Sequence, residues 1–134
     1  MRALVCDRFG PPETLVLGEL PTPLPGKGEV LIDVAAAGVS FADTLMIRDL
    51  HQNKHSLPFA PGMEVAGRIA AVGDDVQGFQ VGERVMALVY DGGHAEHADH
   101  RAHPRSQSTR RHDSAKDSPA HAHAHGESTH DKRR

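Results

Sequence analysis

Up to Tyr90 the hydrophobic residues fall in short runs of period two, and glycine or proline closes most of these runs. Ala3 to Cys6 and Thr14 to Leu17 are brief β-prone runs, divided by the turn signal Gly10-Pro11-Pro12. Pro21, Pro23 and Pro25, with Gly26 and Gly28, then make a loop in which no helix can continue, because proline has no N–H for the ladder. From Glu29 to Ala35 the alternation predicts a strand with one buried face: Val30, Ile32 and Val34 point one way, and Glu29, Leu31 and Asp33 the other. Val65, Gly67, Ile69 and Ala71 repeat the pattern in a small-residue strand that ends at Gly73-Asp74-Asp75. Val81 to Tyr90 is a third such run, and Gly92-Gly93 breaks it before His94 to Ala98. Short strands with turns at close spacing predict a mainly β (α+β) domain built as a small, partly open barrel.

One helix interrupts the strands. Ser40 is a good N-cap, Asp43 stands in the capping-box position, and Phe41, Ala42, Leu45 and Met46 have helical apolar spacing, which predicts a helix from Phe41 to Arg48. The pattern then ends. After Tyr90 the chain holds no Val, Ile, Leu, Met, Phe, Tyr or Cys, so Asp99 to Arg134 cannot bury enough apolar surface to offset its chain entropy. The expected organisation is a domain over residues 1–98 and a disordered His/Arg-rich tail over residues 99–134.

Charge follows the same division. Residues 1–98 carry seven Lys/Arg against thirteen Asp/Glu, and residues 99–134 eight against five, within a formal net charge of -3. Cys6 is the single cysteine, which excludes an intrachain disulfide and a thiolate zinc cluster and suits a reducing compartment. The start, MRALVCDRFG, carries an early acid and no long apolar run, so it has neither signal-peptide nor membrane-span character. The expectation is a cytoplasmic protein without a membrane partner. Arg110-Arg111 and Lys132-Arg133-Arg134 lie among acids and without aromatics, so no nucleic-acid partner is expected.

The strongest motif is Pro61-Gly62-Met63-Glu64-Val65-Ala66-Gly67, followed in order by Val72-Gly73, Gly82-Glu83-Arg84-Val85 and Gly92-Gly93-His94-Ala95-Glu96-His97-Ala98. With AAGVSFADTLMIR and LPFAPGMEVAG, this series resembles the N-terminal GroES-like domain of the medium-chain dehydrogenase/reductase superfamily, from Met1 to about Ala98. In that superfamily's zinc enzymes, a Cys in the segment matching Ala37 to Ser40 and the His of a GHExxG motif hold the catalytic metal. Here those positions are Ser40 and Met63, and a hydroxyl and a thioether are poor zinc ligands. The resemblance therefore implies the zinc-independent quinone oxidoreductase and enoyl reductase branch, in which NADPH delivers hydride to a quinone or enone and the protein binds and orients. It implies substrate-pocket positions at Ser40, Asp43, His51 and Met63, with Ser40 also near the cofactor, no certain catalytic residue and no metal in the domain. Members are often homo-oligomers.

Structural roles compete for the same residues. Ser40 and Asp43 make a capping box by themselves, Met63 suits an irregular packing gap, and Glu64 is left without a metal to support. His51 and His55 flank Lys54 in a polar loop, where a solvated histidine is the ordinary outcome. Gly62, Gly67 and Gly73 suit close backbone approach or positive φ. Asp49 replaces a Gly usual after the helix, and Asp75 stands where a small turn residue is common; Asp tolerates the left-handed region better than most residues. His121, His123 and His125 share one face of an extended chain and are the tail's only metal candidates, lacking a supporting shell.

The chain contains no G-x-G-x-x-G turn opening a βαβ unit, so a Rossmann cofactor domain is absent from these residues and no tight NADPH binding by this chain is expected. The abrupt change after about Ala98 implies a shifted reading frame and a truncated enzyme, inactive as it stands. The alternative is a non-catalytic GroES-like binding module whose His-rich tail holds metal.

Overall fold

The computed structural model describes residues 1–102. Six strands and one helix follow in the order β1 (Arg2–Val5), β2 (Val16–Glu19), β3 (Glu29–Ala37), α1 (Phe41–Met46), β4 (Glu64–Val72), β5 (Arg84–Leu88) and β6 (His97–Arg101), with a 3₁₀ turn at Pro12–Thr14. Strands β1 and β2 form one antiparallel pair; the other four form an antiparallel sheet of order β5-β4-β3-β6. The two sheets do not close into a barrel. They are joined where Ala3 bridges Ala95, the Glu96 N–H donates to the Arg2 carbonyl at 3.1 Å and the Leu4 N–H to the His94 carbonyl at 2.9 Å.

Strand β3 is the axis of the larger sheet. It pairs with β4 from Val30↔Val72 to Ala37↔Val65 and with β6 from Glu29↔Arg101 to Asp33↔His97. Val30 and Ile32 pack with Val65, Ile69, Val85, Val89 and Ala98 in the main core. Ile32 and Ile69 are fully buried, and each such aliphatic side chain contributes about 1.5–3 kcal/mol of transfer free energy. Leu31, expected on the polar face, is also buried. A register shift between Leu31 and Ile32 breaks the strict alternation that placed it with Glu29 and Asp33. Gly67 is required because a Cβ there would collide with the Asp33 carbonyl across the β3–β4 pair.

Element boundaries moved wherever tertiary pairing overrode the local pattern. Thr14 belongs to the 3₁₀ turn, so β2 starts at Val16. The run from Val81 keeps strand geometry only over Arg84–Leu88, because Gly82 (φ 86°) turns and donates to the Ile69 carbonyl at 2.7 Å. Helix α1 stops at Met46 rather than Arg48. Asp49 lies in the left-handed region at φ 57° beyond it, as Asp75 does at φ 61°. Strand β6 runs past Ala98, so Asp99 to Arg101, expected in the disordered tail, are sheet residues. Its backbone is recruited by β3, Glu29 stands opposite Arg101, and Ala98 and Ala102 supply what apolar contact is needed. The histidines His121, His123 and His125, and the rest of the expected tail from residue 103 onward, lie outside the described residues.

The N-terminus is fastened by polar contacts. The Arg2 backbone N–H donates to Glu96 Oε2 at 2.9 Å and its Nε to Oε1 at 2.8 Å, which hold the Glu96 carboxyl below its ordinary value. A depressed folded value means this contact stabilises fully above the ordinary value of 4.5 and is lost as the pH falls through the lower folded value. Glu96→Gln is expected to flatten the acid limb of a pH–stability profile measured by thermal unfolding and to leave the alkaline limb unchanged. At Asp75, whose carboxylate meets Lys27 Nζ at 2.8 Å, Val is expected to cost about 1–2 kcal/mol for its left-handed backbone, and Gly much less. Urea denaturation of both variants measures the difference.

Candidate functional site

The residues singled out in the sequence gather around the start of α1 and two segments laced together beneath it. Ser40 is the N-cap, with extended φ -123° and ψ 166°, and its backbone N–H donates to Asp43 Oδ2 at 2.8 Å in a capping box. Asp43 is buried, and its second oxygen, Oδ1, has no hydrogen-bond partner. Facing it is the imidazole of His94, whose Nε2 stands 3.6 Å from Oδ2.

His94 arrives there because the loop after β5 runs along the Pro61-Gly62-Met63 motif. Val89 N–H donates to the Met63 carbonyl at 2.8 Å, Gly92 to Ala60 at 2.8 Å, Gly93 to Gly62 at 3.0 Å and His94 to Pro61 at 2.9 Å. Gly62 has φ 104°, and a Cβ on it would lie 2.9 Å from the His94 nitrogen and 3.0 Å from the imidazole Cδ2. The motif glycine thus makes room for the His94 backbone and ring. Met63 is half-buried against Cys6, Met46, Ile47 and Phe59, the apolar cluster beneath α1. Cys6 lies inside that cluster; burial pushes its thiol up, with Asp7 adding to the effect.

His55 corrects the sequence reading of its loop. Instead of being solvated it is buried, its Nδ1 3.0 Å from Asp91 Oδ2 and its ring stacked on Phe59 at 4.8 Å between centroids, with Tyr90 at 4.6 Å. Its Nε2 has no partner. The loop's polarity concealed this, because Phe59 and Tyr90 reach His55 only through the fold. His51 is half-buried, 6.3 Å ring to ring from His55, and its Nδ1 accepts from the Asn53 N–H at 3.1 Å. The His51 ring engages Asn53 and His55 rather than Ser40 or Asp43. Sequence reasoning passed over Asp91 and His94; Gly92-Gly93 between them was the available signal, since a glycine pair permits close backbone approach.

An apolar groove of about 630 Å³ lies on the sheet at the end of β3 that leads into the Ser40 turn. Ala36, Ala37 and Gly38 form one wall, Glu64 to Ala66 the floor, and Met86 to Leu88 the other wall. Of its lining residues, Met86 and Leu88 are 58% and 70% exposed, and Val39 and Phe41 next along the chain are also exposed. Glu64 is an exposed residue of this groove, its carboxylate against Gly38. Among the described residues, no three His, Cys, Asp or Glu side chains converge as a metal ion would require, and no helix is long and apolar enough to cross a membrane.

A partly open β domain with one short capped helix is the architecture of the GroES-like class. The chain belongs to the alcohol dehydrogenase GroES-like domain family, whose model matches residues 26–112. It is 42% identical to the quinone oxidoreductase of Lama guanicoe and 41% identical to that of Homo sapiens, each over 100 residues, 73% of this chain and 30% of the relative. The chain therefore spans about a third of the length of these relatives. Among solved structures it is similar to the human synaptic vesicle membrane protein VAT-1 homolog-like protein (TM-score 0.71, 37% identity, covering 75% of this chain and 33% of that one). It is also similar to the quinone oxidoreductase of Thermus thermophilus, solved alone and with NADPH (TM-score 0.60, 38% identity, 75% and 30%). The family match continues beyond Ala98, in agreement with the course of β6.

Gly62→Ala is expected to cost more than about 1 kcal/mol, because it adds a side chain at positive φ and against His94. Chemical denaturation measures the loss, and Gly78→Ala, at φ 81° with open space around it, separates the backbone cost from the collision.

Proposed function

We propose that this domain forms the substrate-side wall of a zinc-independent, NADPH-dependent oxidoreductase acting on quinones or enones. One observation carries the reading: the apolar groove walled by Ala36 to Gly38 and by Met86 to Leu88, which ends two residues before the Ser40 turn, offers a flat apolar ring a place to lie. Quinone oxidoreductases among the relatives, one of them solved with NADPH, support the chemistry.

The described residues do not fit the phosphates of a dinucleotide. The one α-helix has six residues, and the carboxylate of Asp43 already occupies its N-terminal turn, so no free ring of N–H donors remains for an anion. A second structural unit must hold the cofactor. What this chain's own residues do is bind and orient: the alanine and methionine walls offer the ring an apolar surface, Ser40 caps the helix turn two residues beyond Gly38, and Met63 and Phe59 pack with Met46 at the end of that helix. The domain organisation that goes with this reading is a GroES-like substrate domain over residues 1–98, continued by β6 to Arg101. The 134-residue chain by itself does not oxidise NADPH.

Two measurements test this. With micromolar protein, NADPH and duroquinone, absorbance at 340 nm is expected to show no oxidation above the uncatalysed rate; robust turnover refutes the claim that a second unit is needed. Titration of the ¹⁵N-labelled chain with duroquinone is expected to move amide signals of Ala36 to Gly38 and Met86 to Leu88. Shifts confined to other residues, or none, would remove the groove as the substrate site.

A further inference from the structure

We propose that His94 is a positioning residue for the helix turn that carries Ser40, and that the loop from Tyr90 to His94 clasps the two separate parts of the site together. Asp43 is the link. Its Oδ2 holds the Ser40 N–H, its Oδ1 has no hydrogen-bond partner, and the whole carboxylate is buried. A buried carboxylate with so few donors needs a polar or positive neighbour to stay where it is. Among the described residues, His94 is the basic side chain within ion-pair reach, and 3.6 Å makes the contact an electrostatic one rather than a hydrogen bond.

The same loop makes a second contact of opposite sense. It supplies a base to Asp43 and an acid, Asp91, to His55, at 3.0 Å. Asp43 belongs to the turn of Ser40, and His55 to the loop of His51, whose ring lies 6.3 Å from that of His55. The two site segments therefore meet through the loop. The loop itself cannot drift, because three successive N–H groups, Gly92, Gly93 and His94, are bonded to the carbonyls of Ala60, Gly62 and Pro61. Displacing His94 removes the side chain that faces the Asp43 carboxylate, and with it a restraint on the Ser40 backbone, two residues beyond the groove-wall residue Gly38.

The functional part of this inference rests on the groove being the ligand site; the coupling of His94 to Ser40 does not. The experiment uses the full ¹⁵N-labelled chain with duroquinone as probe and compares wild type with His94→Leu, His94→Gln and Asp43→Asn. His94→Leu is expected to move the Ser40 and Asp43 amide signals and to weaken duroquinone binding about tenfold, equivalent to about 1.4 kcal/mol. His94→Gln, which keeps a polar group of similar reach, is expected to retain most of the affinity. Unmoved Ser40 signals in His94→Leu overturn the proposal, and so do equal losses in the Leu and Gln variants, which would assign the effect to ring packing over Gly62. If His94→Leu does not fold, Asp43→Asn decides: the His94 ring signals must move while those of His55 stay. Absence of any duroquinone response in wild type sinks the groove assignment alone, and the Ser40 signals still judge the coupling.

Discussion

The pairing of β3 with β4 is the constraint on which the remaining structure hangs. Seven residue pairs join the two nine-residue strands, with register shifts between Leu31 and Ile32 and between Val34 and Ala36. Gly67 lets the backbones approach at Asp33, and β5 and β6 then add to the outer edges of the pair. The turn that carries Ser40 begins where β3 ends, and the Pro61-Gly62-Met63 motif stands immediately before β4. The site is thus built at one end of a single strand pair, and the geometry of that end follows from its register.

Two backbone systems meet at the site. The sheet ladder delivers Gly38 and Glu64 side by side, with the Gly38 N–H donating to the Glu64 carbonyl at 2.9 Å. The second system is the lacing of Ala60, Pro61, Gly62 and Met63 to the loop after β5, which involves no regular strand. Backbone bonds between irregular segments need close approach, and the facing glycines Gly62 and Gly93 allow it, each lacking a Cβ that would strike the other segment. On this support two histidine–carboxylate contacts of opposite direction fasten α1 and the His51–His55 loop to one strip of chain. Polar groups this deeply placed specify one arrangement, because leaving any of them unpaired is costly.

The apolar groove and the clasp perform different tasks. On the proposed reading, the alanine, glycine and methionine walls give the groove its shape, whereas Asp43 and His94 hold the Ser40 turn beyond Gly38. Val39, Phe41 and Leu88 leave large apolar side chains exposed at this end of the sheet.

The sequence by itself determined the elements whose cause is local. The alternation of Val30, Ile32 and Val34 gives β3; Ser40 and Asp43 start α1 as a capping box; and Asp49 and Asp75 occupy the left-handed region because aspartate bears it with modest strain. The ordered motifs from Pro61 to Ala98 carried the family. Only the tertiary structure decided what depends on residues distant along the chain. Asp99 to Arg101 became a strand because β3 offered it a ladder of backbone partners, although their side chains show no strand pattern. His55 was buried by Phe59 and Tyr90, and His94 met Asp43 across fifty-one positions of chain. Periodicity and capping act within a few residues, whereas burial and ion pairing depend on distances that only the folded backbone sets.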